Sequence, residues 1–252
     1  LCKPFTEFAN VGWLITLVDM TEIRRALQQR DQALHFISHD IRAPNASILT
    51  LLEMQRNSME PLQADELLKR IEKYAQASLS MAESFVRLAS AQNNEYRVAP
   101  LDLASVLQDA VDDAWTQASN QEVSVTILQI PHSAPCVGDR PLLARAMANV
   151  LNNAIKYSPA RGTVRCSLYA RGTNWVISIH DEGPGIDPAQ QDRLFKPFSR
   201  LHDQTHPNIS GVGLGLALVH TVVKRLGGSL EVESAVGQGA EFRLVLPASA
   251  SD

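Results

Sequence analysis

The chain has few cysteines, no long apolar run and no excess of basic residues, and each of these absences excludes a class of protein. Its three cysteines, at positions 2, 136 and 166, show no paired spacing, which excludes a disulfide framework and a cysteine-based zinc site and predicts a reducing, cytoplasmic compartment. The formal net charge is -4, so no nucleic-acid partner is expected. The longest apolar run near the start, residues 11–18, is too short to cross a bilayer, so this fragment is expected to make no membrane contact.

The composition is that of an ordinary folded protein. Hydrophobic residues make up 45% of the 252 residues and charged residues 20%, which predicts one or two compact domains. The first residue, Leu1, is not an initiator methionine, and no signal-peptide pattern follows it. We therefore interpret the chain as a fragment of a longer protein, and this interpretation is compatible with a membrane anchor upstream of it.

The first third of the chain predicts a helical hairpin. Residues 1–18 are interpreted as irregular chain followed by one strand at 12–18. Apolar residues then recur in steps of three and four from Ile23 to Leu51 and, after a turn at 57–61, from Leu68 to Ala89. Each helix would carry an apolar face that the other cannot cover alone. The hairpin is therefore expected either to dimerise into a four-helix bundle or to pack against the rest of the chain.

A linker is predicted at residues 93–100, and helix and strand patterns are interleaved beyond it. These patterns predict an α+β sandwich of two layers, with helices over one face of a mixed sheet. The predicted helices are 103–119, 141–157 and 214–226, and the predicted strands are 123–130, 163–170, 175–180, 229–234 and 240–246.

Two glycine clusters and one helix face are the candidate functional motifs. Residues 181–186, Asp-Glu-Gly-Pro-Gly-Ile, follow a strand, and residues 211–216, Gly-Val-Gly-Leu-Gly-Leu, open a helix, where free amides favour phosphate. Asn149, Asn153 and Lys156 share one helix face, and their amide oxygens and ammonium suit a Mg²⁺–polyphosphate group. Taken alone, each glycine cluster is more typical of a plain turn, and the helix face is more typical of a solvated polar face.

In combination the motifs resemble the ATP-binding (Bergerat or GHKL) domain shared by gyrase, the heat-shock chaperone of 90 kDa, the mismatch-repair protein MutL and histidine kinases. Residues 194–200, Leu-Phe-Lys-Pro-Phe-Ser-Arg, resemble the F box of histidine kinases, and residues 201–210 would be the lid over the nucleotide. Residues 36–44, Phe-Ile-Ser-His-Asp-Ile-Arg-Ala-Pro, resemble the H box of the phosphoacceptor domain. The chain is identified as a member of the sensor histidine kinases of two-component systems.

This resemblance covers residues of about 20–247 and implies three parts. These are a remnant at 1–19 that is similar to the end of a PAS sensor domain, a dimerisation and phosphotransfer hairpin at 20–95, and a catalytic ATP-binding domain at 96–252. The implied partners are a second copy of the chain and the receiver domain of a response regulator. The fragment would be the cytoplasmic portion of its sensor.

The resemblance also implies the role of each site residue. His39 would be the phosphoacceptor, with Asp40 as its orienting group or base; the pattern itself places His39 on the outer face of its helix, between Ile37 and Ile41. ATP and Mg²⁺ are the implied substrate and cofactor, with Asp181 accepting a hydrogen bond from the adenine amino group. The remaining implied nucleotide contacts are Asn149 and Asn153, both also Mg²⁺ ligands, with Lys156, Tyr157, Gly183, Gly185, Arg200, Gly211, Gly213 and Gly215.

Two other functions remain open from the sequence. Energy-transducing ATPases of the gyrase and MutL type place a catalytic glutamate where this chain has Asn149, and an amide cannot act as a base. A scaffold that keeps the fold without catalysis is the second alternative. One departure from the family pattern is Ala43, four residues after His39, where many relatives carry a Thr or Asn that positions water for dephosphorylation of the regulator.

Overall fold

A computed structural model describes residues 2–7, 10–15, 19–20, 41–57, 62–93, 97–197, 199 and 213–249. The chain divides into two compact units, Leu1–Ala75 and Gln76–Asp252. Within the described ranges, no helix is both long enough and apolar enough to span a membrane.

The first unit begins with a two-stranded sheet, which corrects the prediction for residues 1–18. Strand β1 (Cys2–Glu7) pairs antiparallel with β2 (Asn10–Ile15), where one strand at 12–18 after irregular chain was expected. Pro4 has no N–H to donate, which weakens the strand pattern in the sequence. Both strands are edges in a two-stranded sheet, and an edge strand tolerates a proline.

Two helices follow, on either side of a short connection. Helix α1 covers Arg42–Asn57 and α2 covers Ala64–Asn93. The Gln55 amide closes the connection, because its Nε2 donates to the Leu62 carbonyl and its Oε1 accepts from the Leu62 N–H, both at 2.9 Å. The two helices of the predicted hairpin are thus partly visible. Residues 21–40, which include His39 and Asp40, lie outside the described residues, and the dimeric bundle stays a prediction.

The elements of the second unit match the sequence pattern closely. Each helix and strand predicted from residue 103 onward is confirmed within one residue at either end. The helices are α3 (Leu103–Asn120), α4 (Arg140–Tyr157), a short α5 (Pro188–Gln191) and α6 (Gly215–Arg225). The strands are β3 (Ala99–Asp102), β4 (Ser124–Gln129), β5 (Pro135–Gly138), β6 (Thr163–Arg171), β7 (Asn174–Asp181), β8 (Ser229–Ser234) and β9 (Ala240–Pro247).

The five-stranded sheet is mixed, as predicted. Its order is β4-β6-β7-β9-β8, with β4 parallel to β6 and the other neighbours antiparallel. A separate sheet pairs β3 with β5, so the predicted linker at 93–100 is wrong in its last two residues, and also in its first, because Asn93 ends α2. Each of these strands is four residues long and contains a proline, Pro100 in β3 and Pro135 in β5. Such short segments show no alternation of apolar and polar residues from which a strand could be predicted.

Helices cover one face of the five-stranded sheet and form the core with it. Helix α4 packs against both α3 and α6, and alternate residues of β6, β7 and β9 point into the same layer. Asp102 and Asp139 cap α3 and α4 by accepting from the N–H groups of Ala104 and Leu142, at 3.0 and 3.1 Å. This layer holds α4 near the end of β7, which the first glycine cluster follows, and near the start of α6, where the second glycine cluster lies.

Candidate functional site

The helix face and both glycine clusters predicted from the sequence lie in contact. On α4, the Nδ2 of Asn149 donates to the Gly215 carbonyl of the second cluster at 3.4 Å. At the end of the same helix, a methyl group on Gly183 of the first cluster would lie 2.8 Å from the Tyr157 carbonyl oxygen. The structure therefore places α4 between the two clusters.

Asp181 is the buried acidic group of the site. It ends β7, and only 5% of its surface is exposed. Its Oδ1 accepts hydrogen bonds from the Gly183 N–H at 2.8 Å and the Ala240 N–H at 3.3 Å. Among the described residues, no donor is bonded to Oδ2, which leaves this oxygen available to a ligand.

Burial is the main influence on the charge of Asp181. It raises the pKa of the carboxyl group, because a buried site disfavours the ionised form. The N–H groups of Gly183 and Ala240 lower the pKa in turn, since they stabilise the carboxylate. The group is a poorly solvated acceptor held in one orientation, which suits the recognition of a single donor on a ligand.

The first glycine cluster packs against the β8–β9 connection so closely that side chains have no room. Gly185 has a φ of +71°, and a methyl group there would lie 1.9 Å from the Ala235 carbonyl oxygen. Gly239 has a φ of +76°, and its methyl group would lie 1.9 Å from the carbonyl oxygen of Asp181. This third segment was not predicted from the sequence, although the spacing of Gly237 and Gly239 was a signal for it.

We expect Gly239→Ala to be far more destabilising than Gly237→Ala, its matched control. Both glycines have a positive φ, which costs a side chain about 1–2 kcal/mol, but only Gly239 also faces backbone, whereas nothing lies within 4 Å of Gly237. The unfolding free energy should fall by about 1 kcal/mol for Gly237→Ala and by about 3 kcal/mol or more for Gly239→Ala. Urea denaturation measures both, and equal losses would contradict the packing at Asp181.

The second glycine cluster leaves the start of α6 open. The residue before the helix, Leu214, provides no side-chain hydrogen bond to the first turn, and the first helical residue is Gly215. Gly213 has a φ of +72°, a conformation that favours glycine. No described side chain therefore caps the N–H groups of this turn, which is the arrangement that binds phosphate at helix N-termini.

The predicted magnesium ligands fit a cation that is shared with a bound polyphosphate. Asn153 is half-buried on α4, and its side chain makes no hydrogen bond to any described residue, so its amide oxygen is available. The described residues contain no cluster of three or more His, Cys, Asp or Glu side chains that could hold a metal by themselves. The amide oxygens suit a hard cation, and the phosphates would have to supply further ligands.

Other predicted residues lie on the same helix or outside the described ranges. The Lys156 ammonium lies over the Tyr157 ring, 5.4 Å from its centroid. In the segment resembling the F box, Leu194 is buried and Phe195 stacks on His220 of α6, with 5.6 Å between ring centroids. The predicted residues His39, Asp40, Arg200 and Gly211 lie outside the described residues.

Comparison with protein families gives one match that overlaps this site. Residues 138–250 match the family described as "Histidine kinase-, DNA gyrase B-, and HSP90-like ATPase". The matched residues include α4, both glycine clusters, Asp181 and the β8–β9 connection.

Individual relatives match over more of the chain. The adaptive-response sensory kinase SasA of Synechocystis sp. is 30% identical over 91% of this chain and 62% of its own length. The solved structure of the mycobacterial sensor histidine kinase MprB is 34% identical, with a TM-score of 0.51 over 60% of this chain and 97% of its own. The histidine kinase AdeS of Acinetobacter baumannii has a TM-score of 0.68 over 84% of this chain and 98% of its own, and its 23% identity supports the fold alone. The chain spans less than two thirds of the SasA sequence.

Proposed function

The chain belongs to the sensor histidine kinases, and from this premise we propose that it transfers the γ-phosphoryl group of ATP to His39 and then to an aspartate on the receiver domain of a response regulator. The observation that supports the proposal best is the position of α4, which contacts Gly183 of one glycine cluster and Gly215 of the other. That contact brings a buried carboxylate, an open helix start and metal-compatible amides to one place.

Each group in the proposed ATP site has a separate task. The Asp181 carboxylate accepts from the adenine amino group through Oδ2, while its Oδ1 is already occupied. The amides of Gly213 and Gly215 face the phosphates at the start of α6, with Gly211 beside them in sequence, and Lys156 and Arg200 neutralise phosphate charge. Tyr157 and the Gly183–Gly185 turn line the pocket. Phosphoryl transfer depends mainly on this positioning and charge neutralisation.

Asn153, with Asn149 beside it, would hold Mg²⁺. When bound, the cation would neutralise charge on the phosphates and orient them. Asn149 has a further meaning for the reaction class. Its side chain is an amide that already donates to the Gly215 carbonyl, so it cannot activate water as the glutamate of gyrase-type ATPases does. This observation favours transfer to a protein side chain over hydrolysis.

The phosphoacceptor is His39, in the first of the two domains that we propose to take part in the reaction. Asp40 orients or deprotonates His39, which attacks the γ-phosphate, and ADP leaves. We assign 20–95 to the dimerisation and phosphotransfer hairpin, 96–252 to the catalytic domain, and 1–19 to the end of a PAS-like sensor. The active form is a homodimer joined through the hairpins, and it is the cytoplasmic portion of the sensor.

One incubation with γ-labelled ATP and Mg²⁺ tests the proposed reaction. Label that stays on the protein, is lost in acid and survives alkali is the expected result for a phosphohistidine. Release of free phosphate without protein label would instead favour the gyrase-type ATPase. The absence of both protein label and phosphate release would favour the non-catalytic scaffold. Either of these last two outcomes would contradict the proposal.

We expect weak phosphatase activity toward the phosphorylated regulator and a gain of this activity in Ala43→Thr. Ala43 is exposed in the first turn of α1, four residues after His39 in the sequence, and its methyl group cannot position water. The decay rate of the phosphorylated regulator, measured with and without the protein, should rise about tenfold or more with the threonine. Ala46→Thr, also exposed on α1, is the matched control, and an equal rate for both variants would contradict this role of position 43.

A further inference from the structure

The turn that follows Asp181 and the β8–β9 connection are joined by backbone contacts along their length. The Gly237 N–H donates to the Pro184 carbonyl at 2.7 Å. Methyl groups on Gly185 and Gly239 would each lie 1.9 Å from a carbonyl oxygen of the facing segment. The geometry of one segment is therefore fixed by the other.

A single hydroxyl, that of Ser234 at the end of β8, links the outer ends of these two segments. Its Oγ accepts from the Ile186 N–H at 2.9 Å and donates to the Gly239 carbonyl at 2.6 Å. The Ser234 carbonyl in turn accepts from the Gln191 side chain at 3.1 Å, which ties α5 to the same point. The hydroxyl both accepts and donates, so neither an apolar side chain nor a donor-only side chain could replace it.

Each group that Ser234 holds belongs to the same short segment as one of the two N–H groups that hold Asp181. Gly239 precedes Ala240, whose N–H donates to Asp181 Oδ1, and Ile186 ends the turn that contains Gly183, the other donor to Oδ1. A change at Ser234 would therefore disturb both of the segments that carry these donors. No hydrogen bond joins the side chains of Asp181 and Ser234 themselves.

We propose that Ser234 is a positioning residue that sets the selectivity of the site for an amino-bearing purine, by fixing Asp181 through Ile186 and Gly239. This inference rests on the proposed ATP site and deepens it. Loss of the hydroxyl leaves an N–H and a carbonyl without their partner and releases the carboxylate from its orientation. A merely structural residue would weaken all nucleotides alike, whereas a positioning residue acts on the amino group alone.

The test compares ATP with inosine triphosphate, which carries an oxygen in place of the purine amino group. Dissociation constants of both nucleotides with Mg²⁺ are measured by calorimetry for the full chain and for Ser234→Ala, Ser234→Thr and Ser234→Cys, alongside thermal unfolding. The matched control is Ser229→Ala on the same strand, since the Ser229 side chain makes no hydrogen bond to any described residue. We expect Ser234→Ala to reduce the preference for ATP over inosine triphosphate about tenfold. Ser234→Thr should retain the preference, and Ser229→Ala should bind as the parent does.

The outcomes separate this inference from the proposed function. If Ser234→Ala weakens both nucleotides by the same factor, or neither, Ser234 is not a positioning residue, although the parent still binds ATP. If the parent binds ATP and inosine triphosphate equally, or neither of them, the proposed adenine site itself is wrong. If Ser234→Ala does not fold, Ser234→Cys provides the test, because a thiol is a weaker donor and acceptor than a hydroxyl. Its preference for ATP over inosine triphosphate must then be weaker than that of the parent. A cysteine variant as selective as the parent overturns the inference.

Discussion

Replacing Asp181 by asparagine is expected to weaken ATP binding about hundredfold while leaving the fold intact. The asparagine has the same shape, and its oxygen can still accept from the Gly183 N–H. Its amide nitrogen would then stand where the proposed site needs an acceptor, so two donors would face each other. A lost hydrogen bond to a charged group together with an unpaired donor accounts for about 3 kcal/mol, or roughly a hundredfold. Calorimetric titration with ATP and Mg²⁺ measures the change directly.

The control for this variant lies six residues away. Asp187 is exposed, and its side chain caps α5 by accepting from the Ala189 N–H at 2.9 Å, a role that asparagine also fills. Asp187→Asn should therefore bind ATP as the parent does, within about twofold. If Asp181→Asn binds ATP as tightly as the Asp187 variant, the adenine is recognised by another group, and the assignment of Asp181 is wrong.

The sequence predicts local structure in the second unit well because each element there carries a strong periodic signal. Helix α4 has Pro141 at its start and a capping aspartate before it, and its buried residues repeat in steps of three and four. Strand β6 alternates buried and partly exposed residues along most of its length. Strands β1, β3 and β5 were not predicted because each contains a proline, and β3 and β5 are also only four residues long; pairing with a partner strand decides their conformation.

The candidate site was predicted in its parts but not in its assembly. The sequence indicates Asp181, Asn149 and both glycine clusters as candidates, because these motifs follow one another along the chain in an order that resembles a known ATP-binding domain. It does not reveal that Gly239 lies against the Asp181 backbone, since the two are far apart in the chain and meet only because β7 pairs with β9. The proposed role of Ser234 depends on this pairing and on that of β8 with β9, so no local pattern could indicate it.

Replacing His39 by alanine is expected to abolish protein labelling from γ-labelled ATP while ATP affinity stays within about twofold of the parent. The proposal places the phosphoacceptor and the nucleotide site in different domains, and an alanine side chain has no nucleophilic nitrogen to accept a phosphoryl group. Labelling should fall to background, a loss of about a thousandfold or more, since no partial function remains without the attacking atom. Asp181→Asn should lose labelling together with binding, so the two variants separate chemistry from recognition.

His132→Ala is the matched control for the phosphoacceptor, because this histidine lies in the β4–β5 connection, outside every motif assigned to the reaction. It should label at the rate of the parent.

Mixing His39→Ala with Asp181→Asn adds a second check, since a heterodimer joins one intact nucleotide site to one intact phosphoacceptor. Label on the Asp181 variant in that mixture would show transfer between subunits. If no label appears, although the His39 variant still binds ATP and the Asp181 variant still carries His39, the transfer occurs within one subunit. Label that persists on the His39 variant alone would place the phosphoacceptor at another residue, because only an intact nucleophile can retain the phosphoryl group.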